Sequence, residues 1–270
     1  MSIINTYNPV PAIPEDLDAI VQEAFKEPYD VNSSVPVPTI LENERLAIVP
    51  FIPSIHAEPF FEVFKKESAL LMKYLPFPIW GTMKEFIVTI ETRFRRSQAS
   101  TLFVVIDKTR PPLDAYPDIR PAGRVAGLLG FVNASASNLS FEIGPIIILQ
   151  DFQGTFVSSN AIGLVLKYAL DPPSQGGLAY RRVVWCADPR NEKSVAAAEK
   201  VGFKKEGVLN WNWVLPESKE GKEVNAERLA FEAEIGRGRH HGRDSVVLSV
   251  CWDDWIGGVR EVVEERMKRK

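Results

Sequence analysis

A chain of 270 residues, 45% hydrophobic and 25% charged, has room for one substantial core, which excludes a fibrous or low-complexity polypeptide. Its 32 basic and 35 acidic residues leave a net charge of −3, so no basic field recruits DNA or RNA and nucleic acid is not an expected partner. No apolar run approaches the roughly 18–20 residues of a membrane span, and MSIINTYNPVPAIPEDLD has no basic segment followed by an apolar one. A cytoplasmic protein without membrane association is expected.

Residues 1–40 read as a proline-rich extension with one amphipathic helix, in which Leu17, Ile20, Val21, Ala24 and Phe25 form a stripe at helical spacing. The compact domain, residues 41–270, opens with a strand in ENERLAIVPF. Phe60, Phe61, Phe64, Leu70 and Leu71 then mark one or two helices between 55 and 73. A further helix follows Thr82, a suitable N-cap, with Phe86, Ile87, Ile90 and Phe94 buried. TLFVVIDK and GRVAGLLGFVNAS are the second and third strands, separated by an insertion near 108–122 whose prolines suit either a flap over a pocket or a surface excursion.

The fourth strand, NLSFEIGPIIIL, is almost continuously β-branched, as in a strand covered on both faces. Proline cannot donate to a ladder, so Gly144-Pro145 marks a bulge or a point where pairing is abandoned. The strand runs through a short turn into a helix on which Val157, Ala161, Leu164, Val165 and Tyr168 recur at helical steps. The first N–H groups of such a helix lack partners and face the crevice, where they suit a phosphate. RRVVWCA is the fifth strand, NEKSVAAAEKVGF a helix closed by Gly202, and GVLNWNWVL the sixth strand. A charged insertion near 215–240 precedes the seventh strand, SVVLSVCW, and a terminal helix. Cys186 and Cys251 sit in apolar strand-like runs and read as buried free thiols. His56, His240 and His241 have no zinc spacing with them, so no metal is expected.

Two stretches, EIG…FQGTFVSSNA over 143–161 and RRVVWCADPRNEKSVAAAEKVGFKKEG over 181–207, together resemble the GNAT superfamily of acyl-CoA N-acyltransferases. Within it they are similar to the RimJ/RimL-like branch, in its fungal type. The resemblance extends over about residues 41–258. It implies an α/β (α+β) fold: a mixed, mainly antiparallel seven-stranded sheet flanked by helices and splayed between the fourth and fifth strands. It also implies acetyl-CoA as acyl donor. The pyrophosphate turn of the family falls on Gln153, Gly154, Thr155, Phe156, Val157 and Ser158, with Phe156 and Ser158 standing where the family pattern has glycine and a small residue. Backbone groups of Ile146, Ile147 and Ile148 would pair with the pantetheine arm, and an N–H near Ile147 would polarise the thioester oxygen. Asn191 would contact the cofactor arm, a role compatible with capping the following helix.

By the same resemblance Glu142 is the candidate base, set against the plainer reading of a solvated or ion-paired strand carboxylate. The tyrosine that serves as general acid in other branches is replaced by Ala198, which leaves Ser194 or water to protonate the leaving thiolate. Phe77, Trp80, Trp211 and Trp213 are the expected acceptor wall, and aromatics without a carboxylate cluster suit a planar or apolar amine over a polycation. The expected activity is direct acetyl transfer to the primary amine of a small molecule, by a monomer or homodimer. A peptide N-terminal amine as acceptor, and a non-catalytic acyl-CoA binding module, are the alternatives.

Overall fold

The computed structural model describes residue 4 and residues 16–234, 236, 238 and 240–269. Eight strands form one sheet: β1 (Leu41–Glu42), β2 (Leu46–Pro50), β3 (Thr101–Asp107), β4 (Arg124–Ser135), β5 (Ser140–Ile148), β6 (Arg182–Ala187), β7 (Lys204–Val214) and β8 (Gly242–Cys251). Their order is β1-β2-β3-β4-β5-β6-β8-β7, and every neighbouring pair is antiparallel except β5 with β6. The expected mixed, mainly antiparallel α/β sheet is present, with one strand more than the seven read from the sequence. The extra strand is β1, whose two residues pair with Ala47 and Ile48; so short a strand is set by its partner and leaves no periodic pattern.

Nine α-helical segments flank the sheet among the described residues: α1 (Leu17–Ala24), α2 (Pro53–Phe64), α3 (Ser68–Met72), α4 (Met83–Ile90), α5 (Phe156–Leu170), α6 (Glu192–Lys200), α7 (Ala226–Glu234), α8 (Trp252–Asp254) and α9 (Arg260–Lys268). The N-terminus of α4 carries a capping box, Thr82 accepting from the Glu85 N–H while Glu85 reaches back to the Thr82 N–H. β3 is buried along its whole length, and α5 is buried on most of its circumference because it lies between the sheet and α9. The aromatic core is dense: Phe131 stacks on Phe141 at 4.3 Å, and Phe60 and Phe61 pack on Phe86 at 5.5 and 5.7 Å between centroids.

The arm before the sheet is tied down where it is described. Tyr29 donates to the buried Glu91 carboxylate at 2.8 Å, the Ser34 N–H to the Gln98 carbonyl at 2.7 Å, and Tyr168 to the Pro36 carbonyl at 2.9 Å. The 108–122 insertion folds back onto α2 and the turn at Phe152, with Ile119 buried, and takes no part in lining the main cavity.

Candidate active site

The parallel pairing of β5 with β6 stops at Glu142, opposite Val184. From there β5 pairs only with β4, through Ile143 and then Ile146, Ile147 and Ile148, while β6 continues only with β8. The cause is local. Gly144-Pro145 is set against a single residue, Gly130, and a Cβ on Gly130 would lie 2.5 Å from the Gly144 carbonyl oxygen. Only glycine admits that approach. The outer edge of β5 beyond Glu142 is therefore without a strand partner, and a cavity of about 410 Å³ opens in the fork.

Glu142 sits at the apex. Asn133, itself in the left-handed region at φ 52°, donates from Nδ2 to the Glu142 carboxylate at 2.9 Å. Burial pushes the Glu142 carboxyl above its ordinary range, against the opposing pull of Asn133, the Cys186 thiol and the Arg243 charge. Burial and the adjacent Glu142 likewise push the Cys186 thiol up to about 12, so it stays a neutral donor and no thiolate forms.

Ser194 and Asn191 line the same cavity. Asn191 caps α6, its Oδ1 accepting from the Ser194 N–H at 3.2 Å. The Trp185 indole N–H donates to Ser194 Oγ at 3.0 Å, which occupies the hydroxyl as an acceptor and leaves its proton to donate into the cavity.

The turn after β5 is built from its own side chains. Gln153 Nε2 donates to the Ile148 carbonyl at 2.9 Å, Gly154 takes φ 73° with open space around it, and Thr155 caps α5 by accepting from the Val157 N–H at 3.3 Å. The ring of Phe156 lies under the Arg45 guanidinium, 4.3 Å from centroid to Cζ. Arg45 in turn is anchored on the carbonyls of Met267 and Arg269, so Phe156 is engaged with the chain's C-terminal segment. The N–H groups of Gly154, Thr155 and Phe156 make no hydrogen bond among the described residues. Ser158 follows in the first turn of α5. Three free amides at a helix start form a cradle that suits a phosphate.

The four expected acceptor residues do not stand together. Phe77 lines the cavity, edge-on to Phe94 at 6.1 Å and with Arg93 over its ring at 5.4 Å; Trp213 lines it from β7. Trp80 does not: it is 1% exposed, packed on Phe64 and Phe86 at 5.2 and 5.0 Å, and belongs to the core. Trp211 is also outside this cavity. Its positive φ of 54° turns the ring outward under Lys222, at the rim of a second cavity of about 500 Å³ formed with the 215–240 insertion, which Trp213 borders from the other side. The sequence reading missed Asn133, Trp185, Asp188 and Arg243. An asparagine in an otherwise apolar strand was a signal for the first; Trp185 and Asp188 bond the nearby Ser194 and Arg190, contacts that the strand pattern does not announce, and Arg243 depends on β8 lying beside β6.

Among the described residues one acidic and thiol group is close enough to share an ion, Cys251 with Asp253 and Asp254, and it lies away from the fork. No described helix is long and apolar enough to cross a membrane.

Comparison with known proteins agrees with this fold. The family pattern described as acetyltransferase (GNAT) domain matches residues 45–204. YdaF of Bacillus subtilis (strain 168), named for ribosomal N-acetylation, is 29% identical over 135 residues, which make up 50% of this chain and 58% of YdaF; the match thus spans little more than half of that relative. Among solved structures, a GCN5-related N-acetyltransferase from Brucella melitensis aligns with a TM-score of 0.64 and 22% identity, covering 86% of each chain. Mycobacterium smegmatis RimJ in complex with CoA-disulfide aligns at 0.56 and 15% identity over 82% of this chain and 88% of RimJ. Spermidine N-acetyltransferase from Vibrio cholerae, in complex with CoA and spermine, gives 0.53 and 16% over 79% of this chain and 99% of its own. These three relatives share the fold, all are bacterial, and none bears on the fungal type. With more than half of its length matched by the family pattern, the chain belongs to the GNAT acetyltransferase family.

Proposed function

We propose that the protein is an acetyl-CoA-dependent N-acetyltransferase that moves the acetyl group directly onto the primary amine of a small molecule. The observation that carries this is Glu142, a half-buried carboxyl raised above its ordinary range, at the point where β5 loses its partner. The free edge of β5 and the three unpaired amides at Gly154, Thr155 and Phe156 fit an extended pantetheine arm and a pyrophosphate. When bound, acetyl-CoA supplies the acetyl thioester. Glu142 takes the proton that an ammonium must lose before it can attack. An N–H near Ile147 stabilises the developing oxyanion, and the Ser194 hydroxyl, its proton left free by the Trp185 bond, passes that proton to the departing thiolate and recovers one from the acetylated nitrogen, which sheds its second proton as the C–S bond breaks. Asn191 holds the arm beside Ser194. The Cys186 thiol needs no role as nucleophile, since burial keeps it protonated.

The name of YdaF, a ribosomal N-acetyltransferase, favours a second reading, in which the acceptor is an N-terminal or peptide amine. The cavity itself favours the small molecule, because the 215–240 insertion is clamped to the acceptor-side loop by Lys219, which donates to the Met72 and Leu75 carbonyls. A thermal shift with acetyl-CoA, followed by CoA release measured across small amines and N-terminal peptides, tests the proposal. No shift at millimolar acetyl-CoA sinks it; a shift without CoA release from any amine leaves a binding module, and release with peptides alone transfers the activity to the second reading.

A further inference from the structure

Arg243 enters the cavity from β8, on the far side of β6 from the free edge of β5. It is 5% exposed, and its hydrogen bonds are long: Nε to the Asp244 carbonyl at 3.3 Å and Nη2 to Ser245 Oγ at 3.4 Å. Nη1 has no partner among the described residues. The nearest fixed acid, Asp188, stands 3.9 Å from Nε, beyond hydrogen-bond reach, and is already held by Arg190 through contacts of 3.0 and 2.7 Å. Glu142 lines the same cavity, but its carboxylate makes no hydrogen bond or ion pair with Arg243 among the described residues and is held by Asn133. A buried guanidinium held by two long hydrogen bonds and a single 3.9 Å ion pair to a carboxylate that Arg190 already binds is under-satisfied, and its planar fork is shaped to receive a second carboxylate. Trp213, its cross-strand partner on β7, lines the same cavity, as do Phe77 and Arg93, so the cavity combines an aromatic wall with a second positive group.

We propose that Arg243 binds the acceptor by receiving a carboxylate, so that the substrate is an amine bearing a carboxylate on an aromatic or apolar body. The inference rests on the acyltransferase reading of this cavity and narrows its substrate class.

Binding separates this inference from turnover. Calorimetry on the whole protein, with and without CoA, compares 3-phenylpropanoate with its neutral amide. The carboxylate is expected to bind about tenfold more tightly. Arg243→Gln should reduce the preference to within about twofold, and Arg243→Lys should retain part of it. CoA affinity and melting temperature of both variants report whether they fold. Equal binding of acid and amide, no binding of either at millimolar concentration, or an unchanged preference in Arg243→Gln overturns the proposal. Tighter binding of phenethyl phosphate than of the carboxylate overturns the carboxylate assignment. In turnover, phenylalanine should exceed phenethylamine in kcat/KM. Turnover without an Arg243-dependent preference defeats this inference alone, whereas Arg243-dependent binding without acetylation of any amine defeats the transfer reaction alone.

Discussion

Burial raises the Glu142 carboxyl while Asn133 donates to it at 2.9 Å, so one side chain is caught between the needs of folding and of chemistry. A carboxyl whose folded pKa is raised stabilises the fold below its unfolded pKa, and that stability is lost as pH rises through the folded value. At neutral pH the ionised form is therefore a burden on the fold. Glu142→Gln should raise the melting temperature at pH 7 and lower kcat by about 10²- to 10⁴-fold, the usual worth of a positioned base. It should also remove the acid limb of the pH–rate profile, since the wild-type rate climbs as Glu142 ionises. An unchanged rate would take Glu142 out of the mechanism. Asn191 separates two roles in the same way. Asn191→Ala should lose a cap worth about 1 kcal/mol in denaturant unfolding and also weaken CoA binding; a stability loss with CoA affinity intact would leave Asn191 a cap only. Both were named from the family resemblance, and both line the fork; the helix cap of Asn191 was also readable from its place before α6. Arg243 was not, because what it faces is set by β8 lying beside β6, and Trp80 was misplaced because an isolated tryptophan in a loop does not announce which way it turns.

At the scale of elements, the fork between β5 and β6 depends on the tight approach of Gly130 to Gly144. The break at Gly144-Pro145 was readable from the sequence, since proline inside a β-branched run has few explanations. That Gly130 is the residue opposite was not, because register between strands is fixed by the bulge itself. Gly130→Ala puts a methyl into a backbone carbonyl, so β4 and β5 must part. We expect a loss of about 2 kcal/mol or more in denaturant unfolding, within the range of strained core substitutions. Acetyl-CoA affinity should fall with it, because the same displacement moves Ile146 and Ile147. A fully stable variant with unaltered affinity would show that the bulge does not hold the fork open. The strand, turn and helix from 140 to 170 were recognisable by period alone, yet the engagement of Phe156 by Arg45 was not, since that contact joins the turn to the start of the sheet and to the C-terminal segment.

Across the whole molecule, the 215–240 insertion and the loop after α3 are far apart in sequence and meet through one buried amine. Lys219 donates to the Met72 and Leu75 carbonyls, next to Tyr74 and Phe77 of the cavity wall, while its own carbonyl bonds His241 Nδ1 just before Arg243. Burial, helped by the Arg243 charge, pushes the Lys219 ammonium down to about 8. The folded chain thus releases this proton near pH 8, whereas an unfolded lysine keeps it to about 10.4. Between those values the unfolded state binds more protons, so this group makes stability rise with pH, by an amount on the order of 3 kcal/mol at most. Lys219→Met keeps the packed stem, removes the charge and breaks the clamp. Relative to wild type, its stability should be comparatively better at pH 7 than at pH 10. Its acceptor KM should rise at least several-fold as Phe77 and its loop lose their anchor, with acetyl-CoA affinity unchanged because the β5 edge and the 153–158 turn are untouched. Parallel stability curves for the two proteins from pH 7 to 10 would remove the titration. An unchanged KM would show that the acceptor wall stands without the insertion.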